Sequence, residues 1–171
     1  MFMDVRGFTA WSETQSPETV AAFVNDLYQG AEEILHLHHA LKYKFTGDEV
    51  MALFAHSADA LSAAAALRER LQPGLAQLGI AVGMGVHAGQ LMEGMLGASE
   101  TRQYDVIGDT VNTAKRIESL AGKGEIVVSE TVMQEASGAF RFGAVEESEA
   151  KGKRGQLRVA RLLVDARQAG A

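Results

Sequence analysis

Gln103-Tyr104-Asp105-Val106-Ile107-Gly108-Asp109-Thr110-Val111-Asn112-Thr113-Ala114-Lys115-Arg116 is the stretch on which the fold class turns. A β-favouring run meets a Gly-Asp break and continues into a segment that can be helical as far as Gly122, a natural residue to follow a helix C-terminus. The stretch reads as strand, turn, helix. On that helix Asn112 and Arg116 stand four residues apart, so they project from one face about a turn from each other. An amide beside a guanidinium suits an anionic, phosphate-like ligand. Taken alone, such a pair is more often a solvated helix face.

Composition sets the limits around this stretch. A chain of 171 residues with 47% hydrophobic content supports one α/β domain with a sizeable core, and the expectation is a single domain over residues 1–171. The sequence has no cysteine, which rules out disulfides and thiolate metal sites and makes the reducing cytoplasm the expected home. No apolar run approaches the roughly 18 residues of a membrane span, so no membrane contact is expected of this domain. A formal net charge of −6 argues against broad nucleic-acid binding, while leaving room for a nucleotide pocket whose positive charge comes from metal ions.

Working outward, Met1 to Val5 reads as the end of a buried strand, and the chain is expected to be cut from something longer. Ser16-Pro17 is an N-cap followed by proline at the first helical position. Val20, Phe23, Val24, Leu27, Ala31, Ile34 and Leu35 follow at helical spacing, predicting a long amphipathic helix that ends near His38 or His39. The spacing of His36, His38 and His39 sets no metal-binding face. Leu41 to Phe45 alternates apolar residues with Lys42 and Lys44, Thr46-Gly47-Asp48-Glu49 makes a turn, and Val50 to Phe54 returns as a strand. Ser57 is read as the cap of a second helix ended by Pro73-Gly74. Ile80 to Val86 is a buried strand whose Gly83 and Gly85 permit close backbone approach. Beyond the central stretch the pattern gives a strand at residues 125–129, a short helix at 130–136, a closing pair of strands at 140–145 and 157–164, and a frayed tail at 165–171. Strands and helices alternating with two hairpins predict an α+β fold with a mixed sheet, best fitted by a βαββαβ ferredoxin-like core with a C-terminal extension.

Asp4 at a strand end and Asp48 on a hairpin tip are the acids with most chemical interest. If neighbouring strands bring them together, two like charges need cations between them, and oxygen ligands select hard ions such as magnesium or manganese. Without further context, acids at such places are more often structural.

Five pieces in order change that balance: Phe2-Met3-Asp4-Val5-Arg6-Gly7-Phe8-Thr9, Lys42 to Glu49, Gly85-Val86-His87-Ala88-Gly89, the central stretch, and Lys151-Gly152-Lys153. In this order and spacing the set resembles the catalytic domain of the class III nucleotidyl cyclases, the adenylate and guanylate cyclase family, from about Phe2 to Leu163. The resemblance implies a homodimer packed head to tail with active sites at the interface. It implies two divalent cations, magnesium or manganese, held by Asp4, Asp48 and the backbone carbonyl of Val5. Lys44 and Asp105 match the purine-reading positions, and their chemistry suits adenine, because a lysine only donates and an ionised carboxylate only accepts. Asn112 and Arg116 match the catalytic pair that orients the ribose and stabilises charge on the α-phosphate, and Lys151 matches a phosphate-contacting lysine. Gln90 stands where some members carry an arginine, so one triphosphate contact is missing.

These positions together imply an adenylate cyclase that converts ATP to 3′,5′-cyclic AMP, with any sensor or regulatory domain outside this chain. A guanylate cyclase and a catalytically silent regulatory or dimerisation domain are the alternatives. Gly47-Asp48-Glu49 echoes the hairpin of diguanylate cyclases, but Thr46 and Val50 replace the glycine and aromatic residue that flank it there.

Overall fold

The computed structural model describes residues 1–98, 100–149 and 156–164. In chain order the elements are β1 (Phe2–Arg6), α1 (Phe8–Ser12), α2 (Pro17–Leu37), β2 (Lys42–Thr46), β3 (Glu49–Leu53), α3 (Ser57–Gln77) and β4 (Ala81–Val86). They continue with β5 (Met92–Leu96), β6 (Gln103–Ile107), α4 (Asp109–Ser119), β7 (Ile126–Ser129), α5 (Glu130–Glu135), β8 (Glu146–Glu149) and β9 (Gln156–Arg161). The first half is a βαββαβ unit once the short α1 is set aside. Its strands lie in the order β2-β3-β1-β4, with β1 antiparallel to both β3 and β4. β7 then joins β4 in parallel, and β9 and β8 extend the sheet to seven strands. The sheet is mixed, as the alternation of elements predicts.

Local chemistry explains where the elements begin. Ser16 Oγ accepts from the Thr19 N–H at 3.2 Å and Pro17 takes the first turn of α2, where its missing N–H leaves no bond unmade. Gly47 adopts φ 60 in the β2–β3 turn, a left-handed conformation that glycine enters without strain. β4 is buried along its whole length, which is why it reads as a continuous apolar and glycine run rather than an alternating one.

The two faces of the sheet are covered differently. α2 and α3 bury Leu27, Ala31, Leu35, Leu61, Ala64 and Leu67 against Met3, Val5, Val50, Ala52, Val82 and Met84. Each large side chain so buried contributes about 1.5–3 kcal/mol relative to exposure. α4 covers the other face through Ile117 and the following Ala121, packed on Val127 and Val159. A Cβ at Gly85 would fall inside the backbone of Glu118, so only glycine lets α4 lie this close to β4.

Several boundaries differ from the sequence expectation. α3 does not stop at Pro73 but runs to Gln77, and Gly79 at φ 74 closes the turn that follows. A proline inside a helix costs about 3 kcal/mol, and here the burial of Leu71 and Leu75 on either side of it offsets that. α4 ends at Ser119, and the left-handed glycine is Gly124, while the Gly122 N–H donates to Glu125 Oε2 at 2.9 Å. Residues 140–145 form no strand: Phe142 makes a single bridge with Leu162, and Phe140 and Phe142 pack as anchors on the core, with the ladder to β9 starting only at Glu146. α1 and β5 were not expected. β5 pairs with β6 in a separate two-stranded sheet whose Met92, Met95, Tyr104 and Ile107 side chains are exposed, so no buried-face alternation marks it in the sequence. The 165–171 tail lies outside the described residues.

Candidate active site

Side chains alternate along β1, so Met3 and Val5 enter the α2–α3 core while Asp4 and Arg6 face α4. Asp4 is the middle residue of its strand rather than the end. β1 and β3 pair Phe2 with Met51 and Met3 with Val50, and continuing that register sets Asp4 level with Glu49 and Val5 level with Asp48. The structure thereby brings the two predicted acids together, with the Asp48 carboxyl hydrogen-bonded to that of Asp4. Burial first, then the hydrogen bond and charge of Asp4, push Asp48 up to about 6, against the N–H groups of Asp48 and Val5, which favour its ionised form.

Around this pair lies a network that sequence reasoning missed. Arg6 Nη1 donates to Asp4 Oδ2 at 2.6 Å, Nε to the Ala121 carbonyl at 3.0 Å, and Nη2 to the Glu118 carbonyl at 2.5 Å. Nη2 also forms an ion pair with Glu118 Oε1, although the angle is not that of a hydrogen bond. Lys115, one turn earlier on α4, lies 2.8 Å from Glu118 Oε2 and pairs with Glu49, the neighbour of Asp48. Burial acts to lower the Lys115 pKa, but its bonds to Glu118 and Glu49 outweigh this and raise it. The one signal for the network was Arg6 two residues beyond Asp4, since that spacing puts both on one strand face.

A second cluster joins β2 to β6. Lys44 Nζ donates to Asp105 Oδ2 at 3.2 Å, while Asp105 Oδ1 accepts from the Val106 N–H at 2.9 Å. The Val106 N–H first and Lys44 second hold Asp105 below the usual carboxylate range. Beside them Lys42 lies 3.4 Å over the Tyr104 ring and 3.5 Å from Glu93.

Asn112 and Arg116 form the third group. At about 100° per residue they fall on the side of α4 opposite to Ala114 and Ile117, the residues that bury it on its own sheet. Among the described residues neither is bonded to Asp4 or Asp48, and Arg116 Nη1 is buried with no hydrogen-bond partner. Thr110 Oγ1 donates to the Gln90 carbonyl at 2.5 Å, so Gln90 anchors the start of α4 through its backbone. Lys151 lies outside the described residues.

The donor set fits hard cations. Among the described residues, Asp4, Asp48, Glu49 and Glu118 lie with two cations, Arg6 and Lys115, an excess of acid that divalent ions would neutralise. Among the described residues no three His, Cys, Asp or Glu side chains converge as a preformed metal cage. Two carboxylates and a backbone oxygen are what the protein could offer such ions.

Residues 1–162 match the adenylate and guanylate cyclase catalytic domain family. The chain belongs to this family. Its α+β architecture is the class III cyclase fold. Adenylate cyclase 1 of Rhizobium meliloti is 30% identical over 90% of the chain, and an adenylate cyclase of Anabaena cylindrica 32% over 90%. Guanylate cyclase D of Mus musculus is 32% identical over 89%. The chain spans 25%, 34% and 15% of those relatives. The crystal structure of the guanylyl cyclase Cya2 matches with a TM-score of 0.84 at 26% identity, covering 94% of this chain and 88% of that one. Class III cyclase domains generally use divalent metal ions, bind a nucleotide and commonly dimerise. No helix among the described residues is long and apolar enough to cross a membrane.

Proposed function

We propose that this domain is an adenylate cyclase that closes ATP to 3′,5′-cyclic AMP and pyrophosphate as a homodimer. The observation that carries the choice of ATP is the Lys44–Asp105 pair, a donor-only group beside an acceptor-only group. Lys44 donates to adenine N1 and Asp105 accepts from N6, whereas guanine presents the opposite polarity at both places. Asp4, Asp48 and the carbonyl of Val5 would hold two divalent cations, magnesium or manganese. When bound, the ions lower the pKa of the attacking hydroxyl and stabilise charge on the reacting phosphoryl group.

The protein's own residues supply positioning. Asn112 orients the ribose so that the 3′-oxygen lies in line with the α-phosphorus. A bond forms between these two atoms as the bond to the β-phosphate oxygen breaks, pyrophosphate leaves, and the hydroxyl proton passes to water. Arg116, whose Nη1 has no hydrogen-bond partner among the described residues, meets the charge on the α-phosphate, and Lys151 the triphosphate. Because Asn112 and Arg116 face away from their own sheet, a second copy must bring them to an Asp4–Asp48 pair. The exposed apolar side chains of β5 and β6 offer surface for that copy.

The chain is read as the output domain of a longer cytoplasmic protein whose sensor or regulatory parts lie beyond it. Guanylate cyclases among the relatives make GTP the competing substrate. Incubating the purified domain with ATP or GTP and magnesium or manganese, and identifying the cyclic product, decides the matter. Cyclic AMP from ATP is expected. Cyclic GMP alone reassigns the base, and no cyclic product from either makes the domain a silent one.

A further inference from the structure

Glu118 is 1% exposed, yet it is an acid and sits on the face of α4 turned to the sheet. An isolated carboxylate is not tolerated there, and it is matched by Arg6 on one oxygen and Lys115 on the other. Both cations have a second anionic partner that belongs to the metal-binding strands. Arg6 reaches Asp4 Oδ2 at 2.6 Å, and Lys115 reaches Glu49, the neighbour of Asp48. The packing leaves Arg6 little choice of path. A Cβ at Gly83 would come 2.6 Å from Arg6 Nε, so the side chain lies flat on β4 and reaches the end of α4 only because that residue is glycine.

From this geometry we infer that Glu118 is a positioning residue which sets the cation affinity of Asp4 by drawing the Arg6 guanidinium toward α4. The inference rests on reading Asp4 and Asp48 as cation ligands. Arg6 competes with a metal ion for Asp4 Oδ2, because a guanidinium hydrogen and a cation cannot both take the same lone pair. Glu118 and the carbonyls of Glu118 and Ala121 pull the other way, so the buried carboxylate keeps Asp4 available. The chain then carries two opposed effects on one oxygen, and the substitutions that remove them act in opposite directions.

Glu118→Gln keeps the shape but removes the charge, so Arg6 turns more fully to Asp4 and manganese binds more weakly. Arg6→Gln frees Asp4 and manganese binds more tightly. Each change should be about tenfold, the scale on which outer partners of metal ligands act. The experiment titrates Mn2+ alone into the purified nucleotide-free domain and reads free Mn2+ by electron paramagnetic resonance. It compares the parent, Asp48→Asn, Glu118→Gln, Arg6→Gln and the double variant, with circular dichroism to exclude unfolded samples. Opposite shifts for the two single variants, with no Glu118→Gln effect once Arg6 is gone, are expected. A purely structural Glu118 would weaken binding in both backgrounds, and equal direction or no shift in the two single variants overturns the inference. If Asp48→Asn binds Mn2+ as the parent does, the cation assignment itself fails and this inference falls with it. A Glu118→Gln protein that does not fold leaves Arg6→Gln to decide: unchanged or weaker binding there refutes the competition for Asp4.

Discussion

Lys44 and Asp105 meet across two different sheets: the lysine of β2 donates to the carboxylate of β6 at 3.2 Å, the only ion pair of Lys44 among the described residues. Nothing in the core requires this contact, since both side chains are partly exposed. It sets a group that only donates beside a group that only accepts.

The first prediction tests that pair. The double variant Lys44→Glu, Asp105→Cys removes both proposed adenine contacts and should lower kcat/KM for ATP by at least about tenfold, because a base mispaired with its readers leaves polar groups unsatisfied. Initial rates of cyclic AMP formation measure it. If the variant matches the parent, the pair does not read the base.

Asp48 gives a pH prediction for the metal-free protein. Its folded pKa is raised to about 6 from 3.8, so the folded state holds a proton that the unfolded state has released between those values. The stability this proton provides is complete below about pH 4 and is lost as pH rises to about 6, after which it stays lost. Asp48→Asn removes this loss. In chelator the variant should gain on the parent across that window and end about 1 kcal/mol more stable at pH 7, allowing for the solvent screening of a half-exposed group. Urea unfolding at pH 4.5 and pH 7 reads the difference. Adding Mn2+ at pH 7 should stabilise the parent and leave the variant unchanged.

Two glycines predict opposite signs from one substitution. Gly85→Ala drives a methyl group into the backbone of α4, and overpacking of this kind costs about 1–3 kcal/mol, or roughly 2–12 °C in Tm. Gly74 lies inside α3, and a methyl group added there would meet nothing within 4 Å, so Gly74→Ala should stabilise by about 0.4–1 kcal/mol through the unfolded state. Thermal denaturation of both variants tests whether α4 truly lies on β4.

The fold was legible where periodicity followed burial. The β2 alternation, the stripe of α2 and the run of β4 each record how the element is buried. Where burial did not set the pattern, the reading failed: β5 shows its methionines to solvent, and α3 passes Pro73 because Leu71 and Leu75 are buried around it. In the site, the approach of Asp4 to Asp48 was readable from strand and turn, because a hairpin beside a strand leaves few registers. The Arg6–Glu118–Lys115 network was not. Arg6 is far in sequence from Lys115 and Glu118, and it meets them because Gly83 and Gly85 let α4 descend onto the sheet.

The orientation of α4 leads to the last prediction. Lys115 and Glu118 face the chain's own β1 and β3, while Asn112 and Arg116 lie on the side turned away from Ala114 and Ile117. If two chains complete each other's sites, Asp48→Ala and Asn112→Ala should each be inactive alone and recover activity when mixed. In a mixed dimer one site collects both lesions and the other none. With free exchange at equal concentration about half of the dimers are mixed and half of their sites are whole, so cyclic AMP formation should return to roughly a quarter of the parent rate. Native mass spectrometry verifies that mixed dimers have formed. A mixture that contains them and stays inactive shows that Asp48 and Asn112 of one chain serve the same site, and the shared-site reading must then be given up.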